Sequence, residues 1–355
     1  MVAGNYRYIF YLCAGMRYIL AIIVLTIVWG CGTNKDDTDK LRFLIRGNEA
    51  LDKQEYKEAT RFYKEAILID SCYADALNNM GIVKYKTRKF GEATQFYNDA
   101  IRCNSEFWDA YYNRANAYYE LKEYYRALDD LEYLRKKIPD SSNVYFGLGL
   151  VKTKMRKFDD AIADFNKAIE LKNDNAEAWV NRGTVKYYQK KYKQAIDDLD
   201  QAIQLDPKLG NAYNAKSLLY ADMGELNKAL NYIEKALELE NSDPYFLNNK
   251  GYILFKLGRI DEAENEINKS ITIDPRNGWA YRNKGLIYVN QGKPKEAVAV
   301  FARSLELDNF VDKLYLHFGE AYYKSGDLVN ACSSWKKALE RGDVEAGEQI
   351  QKYCK

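Results

Sequence analysis

The segment "WVNRG" at residues 179–183 is one of several related segments in this chain. "YYNRA" occupies residues 111–115, "LNNKG" residues 247–251 and "YRNKG" residues 281–285. Their starting positions differ by multiples of 34, which indicates an internal repeat of 34 residues. A fixed period of this kind determines the fold, so every other feature is interpreted by its position in the repeat.

Nine repeats follow one another without insertion or deletion, beginning at residues 40, 74, 108, 142, 176, 210, 244, 278 and 312. Position 20 is alanine in all of them: Ala59, Ala93, Ala127, Ala161, Ala195, Ala229, Ala263, Ala297 and Ala331. Position 8 is always small: Gly47, Gly81, Ala115, Gly149, Gly183, Ser217, Gly251, Gly285 and Gly319. Small side chains at a contact let two helices approach closely, so these positions mark helix packing.

Each repeat contains two stretches with apolar residues at helical spacing. In the fifth repeat the first stretch includes Trp179 and Gly183, and a break at Lys190–Lys191 separates it from the second stretch, which includes Leu199. All prolines stand where helices should start or stop, namely Pro139, Pro207, Pro244, Pro275 and Pro294. The pattern therefore predicts an all-α chain with two helices in each repeat.

This pattern resembles that of tetratricopeptide repeats over residues 40–345. The resemblance implies a solenoid in which antiparallel helix pairs stack into a right-handed superhelix. It also implies a concave groove lined by the first helix of each repeat. Residues 346–355 are then expected to form a short helix that caps the last repeat.

A basic residue at position 7 of several repeats is expected to pair with an acidic residue at position 23 of the same repeat. The predicted ion pairs are Arg114 with Asp130, Arg182 with Asp198, and Lys250 with Glu266. Such pairs would join the two helices of one repeat.

Residues 1–30 differ from the repeats, because Arg17 precedes an uncharged apolar run from Tyr18 to Trp29. This run has the size of a signal-peptide core and is marginal for a helix that crosses a bilayer. The sequence from Val28 to Cys31 resembles the processing box of bacterial lipoproteins, in which Cys31 would carry the lipid. Residues 31–39 are expected to form a polar tether, and "NKDD" at residues 34–37 resembles a surface-export signal of lipoproteins of the Bacteroidota.

Three interpretations of residues 1–30 remain open: a lipoprotein signal peptide, an uncleaved membrane anchor, and a buried or mis-annotated segment. Arg7 and Arg17 precede the apolar run, so the first two interpretations place the repeats outside the cytoplasm. The resemblance to exported tetratricopeptide-repeat lipoproteins of the Bacteroidota implies a membrane-anchored protein of the outer membrane or cell surface.

Charge argues against nucleic acid as a partner. The chain has 53 basic and 51 acidic side chains, and residues 1–30 hold two of the basic residues and no acidic one. A chain processed before Cys31 would therefore be formally neutral, whereas nucleic-acid binding needs a basic face.

Cysteine positions suggest one disulfide. Cys72 and Cys103 lie on the same side of adjacent repeats, where a bridge is conceivable in an oxidising cell envelope. Cys332 is expected to be packed, and Cys354 is expected to be exposed.

The sequence predicts no enzyme, no cofactor and no metal site. His317 is the only histidine, so a Ser–His or Cys–His mechanism would have to use it. Its position predicts a helix residue near the groove instead. Paired aspartates such as Asp129–Asp130 fall on the second helices, where solvation and helix capping account for them.

Two rows of side chains are expected along the groove. Amides occupy position 6, namely Asn79, Asn113, Asn181, Asn249 and Asn283, and tyrosines occupy position 12 or lie close by, namely Tyr85, Tyr112, Tyr119 and Tyr187. Amides can bind any peptide backbone, and tyrosines are typical of recognition surfaces, although both also belong to the general repeat pattern. We therefore expect a scaffold that binds protein or peptide in its groove. The alternatives are an assembly factor for envelope or secretion machinery that uses its outer edge, and a module that binds glycan or peptidoglycan.

Overall fold

The structure is a computed structural model that describes residues 35–308, 311 and 313–354. It divides into two compact parts, an N-terminal half (residues 35–191) and a C-terminal half (residues 192–354). The expected signal peptide or anchor at residues 1–30 and the expected lipidation site at Cys31 lie outside the described residues. Among the residues that are described, no helix is both long and apolar enough to cross a membrane.

Both halves consist of helices joined by short turns, and the described residues contain no strand. The N-terminal half contains α1 (Lys35–Asp52), α2 (Tyr56–Ile69), α3 (Ala74–Lys86), α4 (Phe90–Cys103), α5 (Trp108–Glu120), α6 (Tyr124–Lys137), α7 (Ser142–Lys154), α8 (Phe158–Leu171) and α9 (Ala176–Tyr188). The C-terminal half contains α10 (Tyr192–Leu205), α11 (Gly210–Asp222), α12 (Leu226–Leu239), α13 (Pro244–Lys256), α14 (Ile260–Ile273), α15 (Gly278–Asn290), α16 (Pro294–Leu307), α17 (Leu314–Lys324), α18 (Leu328–Glu340) and α19 (Glu345–Tyr353).

Helix boundaries follow the 34-residue period. From α3 to α15 the first helix of each repeat has 13 residues and begins at position 1, and the second helices from α2 to α16 have 14 residues and begin at position 17. Pro244 and Pro294 stand in the first turns of their helices, where a missing N–H costs nothing. Asp243 caps α13 by accepting hydrogen bonds from the backbone N–H groups of Tyr245 and Phe246. The predicted all-α repeat fold is confirmed.

Every turn between the two helices of a repeat places position 15 in the left-handed backbone region. The residues are Gln54, Arg88, Lys122, Arg156, Lys190, Gly224, Gly258, Gly292 and Gly326. Two backbone bonds close each turn, as where Arg88 N–H donates to Tyr85 O and Lys89 N–H donates to Lys84 O. This backbone region is less favourable for a non-glycine residue by about 1–2 kcal/mol. Each of these turns in the N-terminal half has a non-glycine residue there, whereas each in the C-terminal half has glycine.

In most repeats, close contact between the two helices depends on glycine at position 8 and a large side chain at position 24, whereas Ala115 and Ser217 stand at position 8 of the third and sixth repeats. A Cβ atom at Gly81 would lie 2.4 Å from the ring of Tyr97, and one at Gly149 would lie 2.6 Å from the ring of Phe165. Both rings are buried. The alanines at position 20 pack beside these contacts and are fully buried, as at Ala161. These contacts form the core of each repeat.

The C-terminal tail after the ninth repeat packs as the short helix α19. Ile350 and Tyr353 lie against Trp335 of α18, and a disulfide joins Cys332 to Cys354 with a Cα–Cα distance of 5.7 Å. The expectation that Cys354 is exposed was wrong, because this bond holds it half-buried on α18.

A second disulfide links the α2–α3 turn to the end of α4. It joins Cys72 to Cys103 with a Cα–Cα distance of 5.3 Å, as the repeat register suggested. Each half thus carries one covalent bridge among its described residues.

Replacing Gly149 by Ala is expected to destabilise the N-terminal half by about 1–3 kcal/mol, because the new methyl group overlaps the buried ring of Phe165. Gly91 provides a matched control, since a Cβ there meets nothing within 4 Å. Gly91→Ala should be neutral or stabilise the helix by up to about 1 kcal/mol. Urea unfolding followed by circular dichroism measures both, and equal midpoints for the two variants would contradict this packing.

Candidate ligand-binding surface

Side-chain amides in the N-terminal half form a chain of hydrogen bonds between successive first helices. Asn79 Nδ2 donates to Asn48 Oδ1 at 2.8 Å, and Tyr63 Oη donates to the same oxygen at 2.8 Å. Asn78 Nδ2 donates to Asn79 Oδ1 at 3.2 Å, and Asn113 Nδ2 donates to Asn78 Oδ1 at 3.0 Å. These hydrogen bonds extend from α1 through α3 to α5.

The C-terminal half repeats the arrangement at α11, α13 and α15. Asn249 Nδ2 donates to Asn214 Oδ1 at 2.8 Å, and Asn283 Nδ2 donates to Asn248 Oδ1 at 2.8 Å. Within α13, Asn248 Nδ2 donates to Asn249 Oδ1 at 3.3 Å. Arg282 Nη1 extends the chain by donating to Asn283 Oδ1 at 2.7 Å. All of these side chains are buried.

The predicted amide row therefore bonds chiefly to other amides. A buried polar group must be hydrogen-bonded, and in three of these bonds position 5 supplies the partner to position 6 of the next repeat. Asn79 instead bonds to Asn48 at position 9 of the preceding repeat. The adjacent pairs Asn78–Asn79 and Asn248–Asn249 were the sequence signal for this chain. Asn181 differs, because position 5 of the preceding repeat is Phe146, which has no amide, and its Nδ2 donates to the backbone oxygen of Glu177 at 2.8 Å.

The predicted tyrosines are half-buried and lie beside other aromatic rings. The ring of Tyr85 meets Phe90 edge-on with centroids 5.2 Å apart, and Tyr119 meets Tyr124 in the same way at 5.7 Å. Tyr187 lies 5.5 Å from the neighbouring ring of Tyr188. Tyr112 packs against the core between α5 and α7. Each ring thus has a packed part and a part that remains accessible.

Basic residues at position 7 bind mainly to the preceding repeat. Arg114 pairs with Asp130 as predicted, with Nη2 and Oδ1 at 2.6 Å, but its Nη1 also donates to Asn98 at 2.6 Å. Lys250 does not pair with Glu266 and instead lies 3.4 Å from Glu234. The partner stands 16 residues earlier, at position 25 of the preceding repeat, and the same spacing recurs in Arg182 with Asn166, Lys216 with Asp200 and Lys284 with Asn268.

This pairing differs from the prediction because a first helix also packs against the second helix of the preceding repeat. Arg182 and Asp198 fall in different halves, so their pairing stays a prediction. Burial raises the pKa of Asp130, and the guanidinium of Arg114 opposes that rise.

His317 ends the amide chain of the C-terminal half. Its Nε2 lies 3.2 Å from Arg282 Nη2 and accepts a hydrogen bond from that group, since a guanidinium can only donate. Its ring also faces the ring of Phe301, with centroids 6.5 Å apart. Burial, Arg282 and Lys313 hold the pKa of His317 well below its usual value. His317 is therefore neutral at pH 7.

Protonation of His317 should destabilise the folded chain. The unfolded chain binds a proton at this residue near pH 6.5, whereas the folded chain binds it only at lower pH. The free energy of unfolding should therefore fall as the pH drops below about 6.5, by at most about 1.4 kcal/mol per pH unit from this residue. His317→Asn restores the amide of position 6 and should flatten that dependence between pH 7 and 5. The same slope in both proteins would argue against a depressed pKa.

No group of three or more histidine, cysteine or acidic side chains capable of holding a metal ion occurs in the part of the chain that the structure describes. The aspartate pair Asp129–Asp130 illustrates why: Asp130 is bound to Arg114, and Asp129 is exposed on α6.

Sequence models described as tetratricopeptide or TPR repeats match residues 78–142, 142–175, 176–209, 210–243, 251–292 and 280–310. No curated protein matches the sequence. A chain in the crystal structure of the APC/C hetero-tetramer Cut9–Hcn1 superposes with a TM-score of 0.60 at 13% identity, covering 96% of this chain and 81% of that one.

Two further solved structures are similar. A tetratricopeptide repeat protein from Parabacteroides merdae has a TM-score of 0.47 at 17% identity, covering 80% of this chain and 99% of its own. Yeast Tom70 has a TM-score of 0.46 at 12% identity, covering 90% and 96%. The family matches extend over more than half of the sequence and coincide with the observed helix pairs, so the chain belongs to the tetratricopeptide repeat family.

Proposed function

We propose that this chain is a non-enzymatic scaffold that binds a protein or peptide along the first helices of its repeats. The observation that carries the proposal is the row of half-buried tyrosines at position 12, namely Tyr85, Tyr119 and Tyr187. An aromatic ring with a polar tip offers a large contact area and loses little rotational freedom on binding. The Cut9–Hcn1 hetero-tetramer provides a parallel, since a protein of similar fold there assembles with another protein.

The amide chain supports this proposal by fixing the platform. Hydrogen bonds between Asn78, Asn79 and Asn113 hold α3 and α5 in one register, so Tyr85 and Tyr119 keep a constant spacing. A surface that is already ordered loses less conformational entropy when a ligand binds. In this proposal the amides of Asn79 and Asn113 organise the first helices of the N-terminal half, those of Asn249 and Asn283 do the same in the C-terminal half, and the accessible parts of the tyrosines contact the ligand. Asn181, which bonds within its own helix, stays a predicted ligand contact.

The fourth repeat interrupts both rows, because Gly147 and Thr153 stand at positions 6 and 12. Gly147 faces Leu131, whose methyl carbon lies 3.0 Å from where a Cβ would be. Gly147 is therefore packed against the core, and only the half-buried Thr153 puts a smaller side chain on the surface between Tyr119 and Tyr187. We infer that a bulky side chain of the ligand lies beside Thr153.

Replacing Tyr85, Tyr119 and Tyr187 together by alanine should weaken binding of the native partner at least tenfold, or about 1.4 kcal/mol. The measurement is quantitative mass spectrometry of proteins cross-linked to the tagged chain in intact cells. Circular dichroism of the alanine variant separates loss of contact from loss of folding, since unchanged helicity with weaker binding shows that contact alone was lost.

The matched control is the exposed pair Asp129 and Asp197 on the second helices, whose change to asparagine should leave the same partners bound. The reverse outcome, with the tyrosine variant binding normally and the aspartate variant failing, would favour an assembly factor that uses its outer edge. Binding of the purified chain to peptidoglycan fragments, lost with the tyrosines, would favour the glycan module.

We propose in addition that the chain is exported and anchored by a lipid on Cys31. The sequence from Val28 to Cys31 suits lipoprotein processing, and Arg7 and Arg17 suit export of the repeats. Both disulfides support an oxidising compartment. The six cysteines are then accounted for: Cys13 leaves with the signal, Cys31 carries the lipid, and the other four form bridges.

Cys31→Ala should abolish metabolic labelling with a radioactive fatty acid and leave a precursor of higher mass in the membrane fraction. The reason is that only the thiol of Cys31 can accept the diacylglyceryl group in this processing box. Cys13→Ala is the matched control, and it should be labelled and processed normally. A wild-type chain that takes no label but stays in the membrane would favour the uncleaved anchor.

A further inference from the structure

A hollow of about 280 Å³ lies on the edge formed by the turns within repeats of the N-terminal half. Its lining consists of Lys122, Glu123, Tyr124, Tyr125, Arg126 and Met155, so it spans the turns of the third and fourth repeats. The volume is just below the range of pockets for whole small molecules. It suits a single apolar side chain.

The hollow is amphipathic. Tyr125 is 73% exposed although it is a large aromatic residue, and Met155 and Tyr124 are half-buried beside it. Met155 is flexible and adapts to ligands of different shape. Glu123 is already paired with Arg126 at 2.6 Å, which leaves Lys122 as the unpaired charge at the rim.

Turns of the neighbouring repeats add cations at the same repeat position. Arg88, Lys122, Arg156 and Lys190 are all exposed, and none forms an ion pair within the described residues. Each adopts the left-handed backbone that favours glycine, whereas the C-terminal half has glycine at this position. Gln54 of the first repeat has the same backbone without a charge, so it is the run of four cations in successive repeats, at a position that favours glycine, that points to a function for these side chains.

We propose that this edge is a docking site for an acidic peptide segment of a partner protein. One apolar side chain of the segment enters the hollow against Tyr124, Tyr125 and Met155. Its carboxylates lie beside Lys122 and the basic turn residues of the adjacent repeats. One cation per repeat suits an extended peptide that runs along the edge. A membrane surface fits less well, because the hollow has the size of a side chain and would stay empty against flat lipid. The site is separate from the tyrosine surface proposed above.

The test uses the full-length chain in neutral detergent micelles and a fluorescein-labelled peptide of eight glutamates around one central leucine. Fluorescence anisotropy gives the affinity. Lys122→Gly should weaken binding at least fivefold while raising the melting temperature by about 2 °C, because glycine relieves the left-handed backbone. Tyr125→Ser should weaken binding at least fivefold without a change in melting temperature, because the ring is exposed.

Lys136→Ala is the charge-matched control, since Lys136 is exposed near the opposite end of α6, and it should bind as the wild type does. A second peptide, with serine in place of leucine, should bind at least threefold more weakly. Wild-type affinity in both Lys122→Gly and Tyr125→Ser would overturn the proposal. Equal affinity for the serine and leucine peptides would also overturn it, and so would binding of sodium polyphosphate, used as a competitor, with the affinity of the leucine peptide. Either result would show that the edge attracts any polyanion.

Discussion

The approach of the two helices within each repeat is the contact on which the other features depend. Gly149 leaves room for the ring of Phe165, and Gly81 does the same for Tyr97, with no space for even one added methyl group. Because the rings fill this space completely, the helices can pair in only one register. That register sets which residues of a first helix remain available to the next repeat, and hence the position of every amide and tyrosine described above.

Stacking of successive repeats adds a second constraint, since amides are buried between their first helices. Asn248 and Asn249 are buried on α13, and leaving either without a partner would cost more than its hydrogen bond contributes. The bonds to Asn214 and Asn283 can form only when α11, α13 and α15 keep their relative positions. Polar burial here gives specificity of alignment, whereas the aromatic and aliphatic core gives most of the stability.

The 34-residue period predicted the helix boundaries well, because small residues at fixed positions report directly on helix contacts. The period did not predict ion pairs correctly where the acidic partner lies in another repeat. Lys250 was paired in the prediction with Glu266 of its own repeat, yet Glu234 of the preceding repeat lies closer, since each first helix packs between two second helices. The prediction that Cys354 is exposed was wrong for a different reason. The tail after the last repeat lies outside the 34-residue pattern, so nothing in the sequence placed Cys354 against Cys332.

Prediction of the binding surface was limited by the same property that made the fold predictable. Asn79 and Tyr85 stand at positions that the family pattern uses for packing, so their occurrence alone could not separate a structural role from contact with a ligand. The structure separates the two side chains by what they touch, with the amide bonded to Asn48 and the ring half-buried beside Phe90. At position 15, in contrast, the residue type does help to separate a structural role from a functional one. Its backbone conformation favours glycine, so a basic residue such as Lys122 has no packing reason to be there, and its chemistry is a more direct indication of function.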